Sequence, residues 1–94
     1  MYADSDEFVV THIADLPDLI GTQTYIIIHY HDGHSIEGVL LDIDLHRDLV
    51  LLGYTHARHD PRTVIRNTNH KISHRLHQAK ILDVTRRKNH RRYY

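Results

Sequence analysis

The segment 33–52 constrains this chain more than any other. Two apolar, β-branched runs, Ile36 to Ile43 and Leu49 to Leu52, meet at the polar cluster Asp44-Leu45-His46-Arg47-Asp48. Such runs, separated by a few turn-forming residues, predict two strands joined at a tight corner. The Asp-x-His-x-Asp spacing gathers acceptors and a flat ring at that corner, which is the layout of a small binding site rather than of a catalytic centre. Gly38 interrupts the first run where a side chain would otherwise pack. A glycine within a strand marks a sharp bend or close backbone approach, with an ordinary bulge as the alternative. Apolar residues on both sides of it (Val39, Leu40, Leu41) imply cover on both faces and favour the bend.

Upstream, residues 24–31 are rich in β-branched and aromatic types and end at Asp32-Gly33, a strong hairpin dipeptide. Residues 19–53 therefore read as a three-stranded antiparallel meander. Alternation places Ile26, Ile28 and Tyr30 on one face, the core face, and Tyr25, Ile27, His29 and His31 on the other.

Taken in order, Leu19-Ile20-Gly21, Tyr30-His31-Asp32-Gly33, Gly38-x-Leu40, Asp44-x-His46-x-Asp48 and Leu49-x-Leu51 resemble the first signature motif of the Sm/LSm superfamily, which includes archaeal Sm-like proteins and bacterial Hfq. The match covers roughly a third of the chain. The resemblance implies an all-β fold: a short N-terminal helix on a strongly bent five-stranded Sm-like (SH3-like) barrel, assembled through its edge strands into a ring. It further implies binding of short single-stranded RNA at the inner rim, with the residue at His46 stacking on a base and an Arg from a second motif on the base's other face.

Two departures from the family pattern bear on that function. Where the family usually has Asn, this chain has Asp48, an ionised acceptor that cannot donate to a uracil carbonyl. It would suit guanine or cytosine amino groups, or be a solvated carboxylate beside Arg47. The second motif is partly matched by Val64-Ile65-Arg66-Asn67 and by Ser73-His74-Arg75-Leu76, neither with the family's glycine. The later one is favoured because residues 79–85 make a good closing strand directly after it. Arg75 is thus the expected partner of His46, and Arg66 the reserve.

Outside the motif, residues 15–21 suggest one or two helical turns, with Asp15 as N-cap, Pro17 in the first turn and Gly21 terminating. Residues 7–13 have β-type composition, so an additional strand and a helical extension are equally plausible there. Residues 62–74 read as a long polar fourth strand suited to a sheet edge. The expected organisation is an N-terminal extension (1–14), a barrel domain (15–85) and a basic tail (86–94).

Net charge is zero, yet residues 1–60 hold eleven acidic and two basic groups while residues 61–94 hold ten basic and one acidic. This segregation suggests head-to-tail attraction between subunits or a basic surface for polyanions. In the tail, Arg86, Arg87, Lys88, Arg91 and Arg92 precede Tyr93 and Tyr94. Cations and rings together suit single-stranded nucleic acid, although a plain solubilising end has the same composition.

Eleven histidines raise the question of metal, with His29, His31 and His34 as one loose set and His70, His74 and His77 as another. Neither has a recognised zinc spacing, and scattered histidines are the preferred reading. Asp42, Asp44 and Asp48 could hold a divalent cation, but strand geometry accounts for them without one. No catalytic motif or cofactor is implied, and the chain reads as a non-enzyme.

Small size without cysteine makes self-association the natural source of added stability. The expected form is a cyclic homo-oligomer pairing residues 62–75 with residues 80–85 of a neighbour. No apolar run approaches a membrane span, and a cytoplasmic location is the default. Two functions are expected to compete: an Sm-like ring binding or chaperoning single-stranded RNA, and a structural or adaptor ring, possibly viral, without base recognition.

Overall fold

The computed structural model describes residues 7–54 and 70–88. They form a six-stranded antiparallel sheet with two 3₁₀ turns. In chain order the elements are β1 (Phe8–Thr11), a 3₁₀ turn (Ile13–Leu19), β2 (Tyr25–Tyr30), β3 (Ser35–Asp44), β4 (Leu49–Tyr54), β5 (His70–Arg75), a second 3₁₀ turn (Gln78–Lys80) and β6 (Ile81–Arg87). Across the sheet the order is β1-β6-β2-β3-β4-β5. The fold is thus all-β as the sequence implies, with six strands in place of five.

The meander over residues 19–53 is present as β2, β3 and β4. Its first hairpin turns at Gly33, whose φ of +97° is accessible to glycine at no steric cost. Asp32 secures the turn by accepting from the His34 amide at 3.0 Å and lying 2.6 Å from its ring nitrogen. As alternation requires, Ile26, Ile28 and Tyr30 are buried together with Leu16, Leu40, Ile43, Val50, Leu52, Leu76 and Val84.

Gly38 is a close-approach position. A Cβ there would lie 2.9 Å from the Gly53 carbonyl oxygen and 3.1 Å from Leu52 Cβ. The irregularity in the β3–β4 ladder falls further on, between Leu40 and Asp42, so bulge and glycine are separate features.

Residues 76–80 alone connect β5 to β6, yet three strands lie between these two in the sheet. In a flat sheet four spacings of about 4.8 Å would hold them ~19 Å apart. A link containing a 3₁₀ turn, rising only about 2 Å per residue, is too short to lie along such a sheet, so the sheet curls. Leu76, fully buried, is the plug of this crossing: its amide donates to Asp48 O at 2.7 Å and its carbonyl accepts from the Tyr30 hydroxyl at 2.7 Å.

Several expected boundaries shift. The N-terminal turn starts at Ile13, is 3₁₀ in type and has no side-chain cap at His12, so Asp15 lies in its first turn rather than at the N-cap. Pro17 interrupts α-type hydrogen bonding from within, which favours a short 3₁₀ segment. Between the two alternatives for residues 7–13, the strand forms, and it pairs with β6 from Phe8↔Arg87 to Thr11↔Val84. The last strand begins at Ile81 and runs through Arg87, because Ala79 and Lys80 belong to the preceding 3₁₀ turn. Consequently the β1–β6 ladder joins the expected N-terminal extension to the start of the expected tail.

That ladder bears on the expected mode of assembly. The outer edge of β6, to which a neighbour's fourth strand was to add, is filled over Val84–Arg87 by β1 of the same chain. Of the expected fourth strand, His70–Arg75 is observed; residues 62–69, with Arg66, lie outside the described residues.

Candidate functional site

The β3–β4 corner and the β5–β6 link form one hydrogen-bonded unit, and Asp48 is its centre. At φ +62° Asp48 adopts the left-handed conformation that closes the turn, one that Asp tolerates better than most residues. Its carboxylate then accepts from the His77 amide (3.0 Å), the Gln78 amide (3.2 Å) and Gln78 Nε2 (2.8 Å). Gln78 Nε2 also donates to Leu45 O at 2.9 Å, bridging the corner a second time. Led by the Gln78 side chain, these donors hold the Asp48 carboxyl below the usual carboxylate range. Asp48 thus spends most of its accepting capacity within the chain.

Across the link, His77 takes the left-handed conformation too, at φ +53°. As a non-glycine residue it meets this bend at some local cost.

The same clamp positions the other residues of the corner. Arg75 is the ladder partner of Leu49, so it stands beside the turn that carries His46. His46, Arg47, Arg75 and Gln78 are all exposed. Asp44 belongs to the turn itself, accepting from the Arg47 amide at 3.1 Å and pairing with its guanidinium at 3.7 Å. Arg47's charge is therefore answered locally, whereas Arg75 has no carboxylate partner among the described residues. Among the described residues, what remains for a ligand at this rim is a flat ring, a guanidinium without a carboxylate partner and the Gln78 side-chain oxygen, its Nε2 being committed to Asp48 and Leu45. Sequence reasoning singled out His46, Asp48 and Arg75 but missed Gln78, because its role depends on a bond to a residue thirty positions away.

The cations of the expected tail occupy the opposite end of β6. Six strand steps separate Ile81 from Arg87, or roughly 20 Å. Arg86 pairs in register with Val9 and Ile26. Arg87 lies over the rings of Phe8 and Tyr25, at 5.7 and 5.2 Å from their centroids, so its planar cation is engaged in packing. Tyr25 also donates to Glu37 Oε2 at 2.5 Å, and burial followed by that bond pushes its phenol pKa up. Lys88 donates its amide to Glu7 O at 2.9 Å and approaches the Glu7 carboxylate at 4.0 Å. Arg91 and Arg92 lie outside the described residues.

The histidine sets do not converge: among the described residues no three His, Asp or Glu side chains are grouped to hold a metal ion. His29 faces Thr85 at 3.3 Å, His34 stacks on Tyr30 with centroids 4.6 Å apart, and His74 meets the Tyr54 hydroxyl at 2.9 Å. Nor, among the described residues, is any helix long and apolar enough to cross a membrane.

No family model, no curated protein and no solved structure matches this chain.

Proposed function

We propose that this protein binds short single-stranded RNA as an Sm-like, self-associating β protein, with the His46–Arg75 rim as its base-contacting surface. The observation carrying this reading is the Asp48 clamp, which ties the turn bearing exposed His46 to the strand end bearing exposed Arg75, which has no carboxylate partner among the described residues. A flat ring and a guanidinium suit the two faces of an unstacked base. Because the Asp48 carboxylate and the Gln78 Nε2 are both committed to the clamp, recognition of base edges falls to the Gln78 side-chain oxygen and to backbone groups.

Fluorescence anisotropy with labelled RNA oligonucleotides at fixed salt tests the reading. Stacking contributes about 1–3 kcal/mol per base, so His46→Ala and Arg75→Ala should each weaken binding roughly tenfold. Parent-like affinity in both variants would exclude this rim.

A structural or adaptor role without base recognition is the second reading. It is favoured by the internal use of Arg87 on Phe8 and Tyr25 and of Lys88 on Glu7, which removes cations from the presumed phosphate-binding set. Absence of measurable RNA binding by the parent protein would select it.

A further inference from the structure

We infer that the N-terminal strand β1 is the self-association strand, its outer edge pairing antiparallel with the β5 edge of a second copy of this chain. The inference rests on the self-association in the proposed function and changes the strands that mediate it. β6 is flanked by β1 and β2, so the two open edges of the described sheet are β1 and β5. All five ladders are antiparallel. With six strands the two edges therefore run in opposite directions, and a copy placed by rotation about an axis along the strands meets β5 with an antiparallel β1.

Backbone polarity and side-chain face agree on the register. The bond from Lys88 N to Glu7 O turns the hydrogen-bonding groups of Glu7, Val9 and Thr11 toward β6, which leaves those of Phe8 and Val10 outward. On the other edge, the bond from Leu76 N to Asp48 O turns those of Ile72 and His74 toward β4, which leaves Lys71, Ser73 and Arg75 outward. Phe8 packs against Tyr25, on the face opposite the core, so Phe8 and Val10 share that outer face. Lys71 and Ser73 lie on the outer face as well, because Ile72 is the cross-strand partner of core residue Leu52. Outward backbone groups and outer-face side chains thus coincide on both edges, and one register serves both.

Setting Val10 opposite Lys71 places Phe8 opposite Ser73 and brings Val9 to Ile72 on the core face. Each edge exposes one large apolar residue, Val10 at 71% and Ile72 at 48%, and this pairing covers both. Glu7 falls opposite His74 on the core face, so the pairing sets no like charges against each other there. A β5–β5 pairing in the polarity these bonds set would instead place Lys71 opposite Arg75, like charge against like.

The test uses the full chain and native mass measurement together with sedimentation. The parent should be a multimer. Val10→Lys, which sets like charges opposite Lys71, should raise the dissociation constant roughly fivefold or more, with an unchanged circular dichroism spectrum because Val10 is exposed. Adding Lys71→Glu to that variant should restore assembly. In a chain with no cysteine of its own, the double variant Val10→Cys/Lys71→Cys should oxidise to a covalent ladder, since opposed hydrogen-bonded residues lie about 5.5 Å apart, within disulfide reach. A multimeric parent unaffected by Val10→Lys and giving no ladder would overturn the β1 assignment while leaving self-association intact. A monomeric parent would overturn both.

Discussion

Leu76→Ala probes the feature on which fold and site both depend. The Leu76 side chain is fully buried among the core residues, while its two backbone groups bond Asp48 O and the Tyr30 hydroxyl, each at 2.7 Å. Truncation removes buried carbons at a position backed by three layers of contact: the β2 strand through Tyr30, the β3–β4 turn through Asp48, and the β5–β6 link itself. Little can collapse into the space, because the link is short and hydrogen-bonded at both ends. Leu→Ala substitutions at such sites cost about 2–5 kcal/mol, and the upper half of that range applies here. For a domain of this size each kcal/mol lowers the melting temperature by about 4–8 °C, so a fall of roughly 14 °C or more is expected in a thermal melt followed by circular dichroism. Leu82→Ala is the control, since Leu82 is 57% exposed and should change stability by less than ~0.5 kcal/mol. Tyr30→Phe isolates the carbonyl's partner and should cost about 1–3 kcal/mol, the penalty for leaving a buried acceptor unmade. If Leu76→Ala melted like Leu82→Ala, the crossing would not be a packed plug, and the positioning of Arg75 would need another cause.

Gly38→Ala should destabilise by about 1–3 kcal/mol in urea titration, because the new methyl meets the Gly53 carbonyl at 2.9 Å and the tightly packed β4 strand must shift; a neutral result would mean that the β3–β4 approach is soft. Asp48→Asn should lower stability at neutral pH, since an amide offers one acceptor oxygen to three N–H donors and sets an NH₂ against one of them. The Asp48 carboxyl, and that of Asp32 held low by the His34 amide, are depressed in the folded state. Their stabilisation is therefore fully present above the ordinary carboxylate range and is lost as pH falls through the depressed values, so Asp48→Asn should flatten the acid limb of a plot of stability against pH. Tyr25, Tyr30 and Tyr54 are all raised, chiefly by burial, which makes stability complete below the ordinary phenol pKa of about 10 and progressively lost above it; with Tyr2, Tyr93 and Tyr94 replaced by Phe, phenolate absorbance should appear together with unfolding rather than before it.

Local chemistry made much of this architecture legible in the sequence. Alternation alone separated Ile26, Ile28 and Tyr30 from their outward neighbours, since a strand has period two whatever surrounds it. Asp32-Gly33 marked a turn because few other pairs reach the required backbone angles, and Gly38 marked a close approach because only glycine fits there. Those inferences needed no knowledge of what lay across the fold. Other features depended on partners distant in the chain. The clamp on Asp48 comes from His77 and Gln78, which no local pattern connects to the β3–β4 turn. Arg86 and Arg87 looked like the start of a free tail because charge density is a local property, yet ladder pairing with Val9 and Phe8 makes them the end of β6. Residues 7–13 could not be resolved between strand and helix from composition, since what decides a short edge strand is the presence of an open neighbouring edge. By itself, then, the sequence determined the three strands of the meander, the first hairpin and the apolar face, all set by steric and periodic rules acting over a few residues. Only the tertiary structure decided which edge β1 covers, which acceptors Asp48 retains and which cations stay available to a ligand, because hydrogen bonds and ion pairs are assigned by whichever groups the fold brings within about 3–4 Å.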